Sequence, residues 1–173
     1  MTQIQLPYSE PVRLHQIGTL LERTLAPETA DRARIAKALN LASLDSLTVD
    51  MALVPTVSGF RMEGRVRAEV VQTCGLSLEP MPVSVDRDFT VNFVHEAEPE
   101  NNEDGEIDIE LDDDFPDVIE DGKIDLGQYA VEQLFLSLDP FPRKDGAVFV
   151  QPPEPVEISP FAALKSLKDS SQG

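Results

Sequence analysis

Between Ser46 and Val94 the chain alternates apolar and polar side chains with a period of two, a pattern that half-buried β-strands satisfy and helices do not. Leu47, Val49, Met51 and Leu53 alternate with Thr48, Asp50 and Ala52. After a turn at Pro55–Gly59, Phe60, Met62, Gly64, Val66, Ala68 and Val70 share one face of a second strand. Arg61, Glu63, Arg65, Arg67 and Glu69 share its other face. Gly75 and Pro80 bracket a second connection, beyond which Val83, Val85, Phe89, Val91 and Phe93 lie opposite Ser84, Asp86, Asp88, Thr90 and Asn92. Arg87 interrupts that apolar set, which calls for a bulge or a side chain that snorkels to water. Strands over 46–55, 60–73 and 82–94 with connections this short are antiparallel neighbours, so the expectation is a three-stranded meander with one wet face.

The flanking segments supply helices. Pro27 suits a first helical position, and Glu28 and Asp31 fall in a first turn where the helix dipole favours carboxylates. Ile35, Ala38, Leu39 and Ala42 follow at i, i+3, i+4 and i+7, predicting a helix over 27–40. Asp125 reads as an N-cap with Gln128 three residues on. Leu126, Ala130, Leu134 and Leu138, with Tyr129, Val131 and Phe135 widening the stripe, predict a second helix over 126–138 that Pro140 and Pro142 end. Glu10–Leu14 and Asp117–Glu120 are short strand candidates. Residues 16–25 admit two readings. Ile17, Leu20, Leu21 and Leu25 have helical spacing, while Gly18 and Thr24 weaken it and leave a strand as the alternative. The fold class expected is α+β: an antiparallel meander, open or curled towards a barrel, with two main helices packed on it.

Charge is concentrated in one place. Of 173 residues with a net charge of −18, those from Glu96 to Asp121 carry 14 acidic side chains and no basic one, leaving 18 acidic against 14 basic elsewhere. Like charges at this density resist compaction, so 96–114 is read as a mobile, solvated acidic loop. As a polyanion it offers Asp104, Glu106, Asp108, Glu110, Asp112, Asp113 and Asp114 to a basic partner. Asp112–Asp114 lacks the central Gly and closing Glu of an oxygen-ligand loop, so no metal is expected. The six prolines between Asp139 and Pro160 make an extended arm without a core of its own. Beyond it, 160–168 presents Phe161, Leu164 and Leu167 on one or two amphipathic turns, too short to be stable alone, that dock on this domain or on a partner. The organisation expected is one α+β domain over 1–142 and an arm over 143–173.

The inventory of reactive groups is thin. A single cysteine, Cys74, excludes an internal disulfide framework and reads as a buried thiol at a turn. The two histidines, His15 and His95, are far apart in sequence, and no phosphate-cradling glycine loop is present. No catalytic residue, cofactor or small-molecule substrate is expected. With no apolar run able to span a bilayer and no signal-peptide pattern at the N-terminus, a soluble cytoplasmic protein is the expectation. One local feature runs against the acidic whole: Arg61, Arg65 and Arg67 line the wet face of one strand. Guanidinium forks suit phosphate, which makes these three candidates for contact with an RNA backbone. The interleaved Glu63 and Glu69 offer the competing reading, cross-strand or diagonal ion pairs on a solvated face. No aromatic side chain shares that face, so sequence-specific reading of single strands is not expected.

The order of motifs resembles that of a known family. Gly64-Arg-Val-Arg-Ala-Glu-Val-Val-Gln-Thr-Cys74, a Leu78-Glu-Pro80 turn and a strand ending Phe89-Thr-Val-Asn-Phe93 come first. An acidic stretch, Ile124-Asp-Leu-Gly127, a Leu-rich helix ending Leu136-Ser-Leu-Asp-Pro140 and a closing Pro160-Phe-Ala-Ala-Leu-Lys-Ser-Leu167 follow. From about residue 8 to 168 the chain is similar to the YceD family, the large ribosomal RNA subunit accumulation proteins, and most similar to its alphaproteobacterial branch. The resemblance implies a non-enzymatic role in maturation or accumulation of 23S rRNA, with the rRNA or the precursor large subunit as partner. Family genes often lie beside that for ribosomal protein L32, which makes a basic ribosomal protein the alternative partner and an acidic holder the alternative role. A general interaction adaptor is the third reading. Many members carry Cys-x-x-Cys where this chain has Cys74-Gly-Leu-Ser77, and Ser77 removes any paired-thiol chemistry there.

Overall fold

The computed structural model describes residues 6–95 and 116–148. Strands β1 (Pro11–Arg13) and β2 (Leu21–Leu25) precede helix α1 (Thr29–Ala38). Three long strands follow, β3 (Ser43–Pro55), β4 (Gly59–Thr73) and β5 (Pro80–His95), then β6 (Asp117–Ile119), β7 (Lys123–Asp125) and helix α2 (Leu126–Leu136). The architecture is α+β. The three-stranded meander is present as β3–β4–β5, extended on both sides into an open sheet of order β2-β3-β4-β5-β6 that does not close into a barrel. Every pairing in it is antiparallel except β5 with β6, which is parallel. β1 and β7 form a separate antiparallel ribbon.

The alternation in the sequence becomes two chemically distinct faces. Leu47, Val49, Met51 and Leu53 of β3, Met62, Val66, Ala68 and Val70 of β4, and Val85 and Phe93 of β5 are buried together. Ile35 and Ala36 of α1 and Leu126, Ala130, Val131 and Leu134 of α2 belong to the same core. Fully burying a side chain the size of Leu53, Met62 or Leu134 stabilises by about 2–3 kcal/mol. Gly64 permits a close approach within the sheet: a Cβ there would lie 2.4 Å from the Phe89 ring and 2.6 Å from the Asp50 carbonyl oxygen. Tyr129 of α2 packs edge-on against Phe93, ring centroids 5.1 Å apart, and its hydroxyl donates to Asp117 at 2.7 Å, which ties the helix to β6.

Several expectations are corrected. The helical spacing in residues 16–25 resolves into a single 3-10 turn, Leu14–Gln16, and strand β2. Gly18 takes φ +61°, which stops the helix, and a spacing of four places Leu21 and Leu25 on one face of a strand as well as of a helix. They pair with Leu53 and Val49. Helix α1 is shorter than 27–40, with Glu28 at the N-cap and Pro27 before it. It ends before Asn40, which adopts φ 54°, so Ala38 and Ala42 are exposed and the buried pair is Ile35 and Ala36. Helix α2 stops at Leu136, and Phe135, within its last turn, is exposed rather than in the apolar stripe. Arg87 sits in continuous register opposite Val66, without a bulge, and its side chain is exposed. The irregularity in the sheet lies instead between Leu44 and Ser46.

Asp125 accepts from two backbone amides and one hydroxyl. Its Oδ1 accepts from the amide of Gln128 at 3.1 Å, which is the N-cap bond of α2, and from the amide of Glu10 at 2.8 Å. Its Oδ2 accepts from the Ser9 hydroxyl. Gly127 makes room for this junction, since a Cβ would lie 2.7 Å from the Glu10 nitrogen.

Candidate interaction face of the sheet

The antiparallel register arranges the polar positions of β2–β5 in rows across the wet face. Thr24, Asp50, Arg65 and Asp88 form one row, flanked by Glu22, Ala52, Glu63 and Thr90 on one side and Thr48, Arg67 and Asp86 on the other. Val54, Arg61 and Asn92 lie at one end, and Ser46, Glu69 and Ser84 at the other.

Arg65 and Arg67 reach diagonally between rows, and Arg61 reaches directly across its own. Arg65 forks onto Asp86, Nε to Oδ1 at 2.6 Å and Nη2 to Oδ2 at 2.7 Å, with Asp88 at 3.8 Å from Nη1. Arg67 donates to Asp50, whose other oxygen accepts from the Thr24 hydroxyl at 2.7 Å. Arg61 donates to the Asn92 side-chain oxygen at 3.1 Å. The fork holds the Asp86 carboxyl below its usual range and raises Arg65 above its own. These pairs are half exposed, so solvent screens their weight in stability and their main effect is to fix side-chain direction.

Diagonal ion pairing on this face was legible in the sequence; the partners were not. The carboxylates that meet Arg65 and Arg67 are Asp86, Asp88 and Asp50 rather than the same-strand Glu63 and Glu69. Glu69 accepts from Ser84 at 2.7 Å instead. The same-strand neighbours are two positions away along the strand, whereas the register brings aspartates of β3 and β5 alongside. Counting the whole face gives six carboxylates, Glu22, Asp50, Glu63, Glu69, Asp86 and Asp88, against three guanidiniums. Among the described residues the Glu22 and Glu63 carboxylates have no hydrogen-bond or ion-pair partner, while the Glu22 carbonyl accepts from Arg23. The arginine stripe therefore lies inside a net-acidic surface.

The other sequence candidates, Asp104, Glu106, Asp108, Glu110, Asp112, Asp113 and Asp114 on the acidic stretch and Phe161, Leu164 and Leu167 near the C-terminus, lie outside the described residues. Among the described residues no group of His, Cys, Asp and Glu is arranged to hold a metal ion, and no helix is long and apolar enough to cross a membrane.

At the far end of β4, Cys74 is fully buried within a tight turn. The Cys74 amide donates to the Glu79 carbonyl, and its Sγ accepts from the amides of Ser77 and Lys144, each at 3.4 Å. Hydrogen bonding by Ser77, then the Lys144 and Leu76 amides, pulls the thiol down to about 6 against the opposing effect of burial. Gly75 donates to the Pro142 carbonyl at 2.8 Å and Lys144 pairs with Glu79 at 3.2 Å, so the turn clasps the segment that follows α2.

A family model described as Large ribosomal RNA subunit accumulation protein YceD matches residues 62–168. The chain belongs to the YceD family. The match takes in most of β4, all of β5, β6, β7 and α2, and so includes Arg65, Arg67, Asp86, Asp88 and the Cys74 turn. It places the chain in the context of large-subunit ribosomal RNA accumulation. No curated protein and no solved structure matches the chain.

Proposed function

We propose that this YceD-family chain is a non-catalytic, cytoplasmic accessory of large-subunit assembly that supports 23S rRNA accumulation by holding a basic protein component of the precursor particle. The observation that carries this reading is the six-to-three excess of carboxylates on the wet face, with Arg65 and Arg67 already committed to Asp86 and Asp50. A phosphate backbone approaching this face meets paired guanidiniums and has to displace a forked carboxylate to reach Arg65. A lysine- or arginine-rich surface meets Glu22 and Glu63 directly. The sequence adds 11 further carboxylates over 96–114, continuing from the end of β5. No cofactor, metal or membrane enters this reading.

The test is recovery of partners by tagged full-length chain at low salt, with and without nuclease. The expected result is a basic large-subunit protein that survives nuclease, is lost with E22Q/E63Q/D88N together with neutralised 96–114 carboxylates, and persists with R61E/R65E/R67E. Binding should weaken steeply with salt. Recovery of RNA that the triple arginine variant abolishes, with proteins vanishing on nuclease treatment, overturns the holder reading in favour of direct RNA contact.

A further inference from the structure

Where α1 and α2 both end, the described domain leaves an apolar groove of about 350 Å³. Leu39, Leu41, Phe135, Leu136, Leu138 and Pro142 are among the residues that line it. Phe135 and Leu136 are 55% and 60% exposed, and the adjoining Phe141 is 76% exposed, a concentration of large apolar side chains that stands apart from the charged sheet face. Its polar lining is Asn40, Gln72, Thr73 and Asp139, and Gln72 Nε2 donates to the Asp139 carbonyl at 2.9 Å. The rest of the lining calls for apolar side chains.

We propose that this groove is occupied by the chain's own Phe161–Leu167 segment. The connection permits it. Pro142 is part of the groove wall, and the described chain runs on only to Val148, within roughly 22 Å of it. The 12 residues from 149 to 160 span at most about 40 Å, enough to cross a small domain and return. A tether of this length keeps a segment at an effective concentration of about millimolar, which favours an intramolecular occupant over a free one. The chemistry of the segment matches the groove. Phe161, Leu164 and Leu167 supply three apolar groups. Lys165 and Lys168 supply cations, and the last turn of α2, which ends at the groove, has no basic residue to offset its dipole. The family match is consistent with one unit: it spans Gln72 and Thr73, Phe135–Pro142 and the segment alike, and ends at residue 168. The inference is independent of which partner the sheet face holds.

The experiment uses the full chain with paired cysteines, Leu136→Cys with Leu164→Cys, and a control pair, Val57→Cys with Leu164→Cys. Val57 is exposed in the β3–β4 turn, at the opposite end of β4 from the groove. Native Cys74 is buried and identical in both. Under mild oxidation at low micromolar protein, the groove pair should form an intrachain disulfide at least tenfold faster than the control pair. Amide exchange of residues 36–42 and 134–139 in the native chain should also speed up at least tenfold on introducing F161D/L164D. Equal rates for both pairs, disulfides that join two chains, or exchange unchanged by F161D/L164D would each overturn the assignment. Interchain disulfides would point to a second copy in the groove.

Discussion

Replacing Asp125 by Ala tests whether one side chain holds the N-terminal ribbon, the start of α2 and the segment before β1 together. The substitution removes the N-cap bond to Gln128, which is worth about 1 kcal/mol in a typical helix. It also removes the bond to the Glu10 amide, a contact to an ionised acceptor worth about 1–1.5 kcal/mol at a site open to water. The Ser9 hydroxyl finds water instead and adds little. The expected loss is therefore about 2–2.5 kcal/mol. With a urea m-value of about 1–3 kcal/mol/M, the midpoint should fall by roughly 0.7–2.5 M while m stays constant. The chain has no tryptophan, so far-UV circular dichroism is the suitable signal. Asp125→Asn retains an acceptor for the cap and should recover more than half of the loss. A midpoint shift under about 0.3 M for Asp125→Ala, or equal shifts for the two variants, refutes the reasoning, because the first denies the bonds their weight and the second denies the cap its role.

Gly64→Ala should cost about 1–3 kcal/mol in urea unfolding, because the new Cβ meets the Asp50 carbonyl oxygen as well as the Phe89 ring and cannot be accommodated by ring movement alone; a midpoint equal to the parent's would contradict that close approach. Cys74 gives a pH dependence. A thiol lowered in the folded state from 9.0 to about 6 adds stability that is full above pH 9 and is lost as pH falls through 6, so the midpoint should rise between these limits. Cys74→Ser should flatten that rise, and parallel curves for the two proteins would show that the thiol does not ionise in the fold. Tyr129→Phe keeps the ring against Phe93 but loses the bond to Asp117, so amide protection of 117–119 should fall by about 1 kcal/mol while β3–β4 protection stays unchanged.

The sheet was readable because β3 and β4 bury one face and wet the other, so each apolar residue carries its own parity. The same rule located the arginine face. What parity does not carry is register, and register decides that Arg65 meets Asp86 rather than Glu63. Residues 16–25 were ambiguous for a related reason: a spacing of four belongs to both periods, and only the backbone at Gly18, together with pairing to β3, separates them. β7 is three residues long, gains its partner from the far end of the domain, and left no local pattern to read. The short boundaries of α1 followed from Asn40, whose left-handed backbone is not visible as composition.

The parallel pairing of β5 and β6 sets the ends of the acidic stretch side by side. Phe93 lies opposite Asp117 and His95 opposite Ile119, so β6 joins the sheet edge two positions back from where β5 ends, with 21 residues of sequence between His95 and Asp117. A detour whose two ends are already fixed together is nearly indifferent to its own length: doubling it costs only about 0.6 kcal/mol in closure entropy. Polyanionic sequence can thus be lengthened, trimmed or rewritten there during evolution with little consequence for folding of the domain that carries it. The fold uncouples how much negative charge the protein displays from how stably it stands.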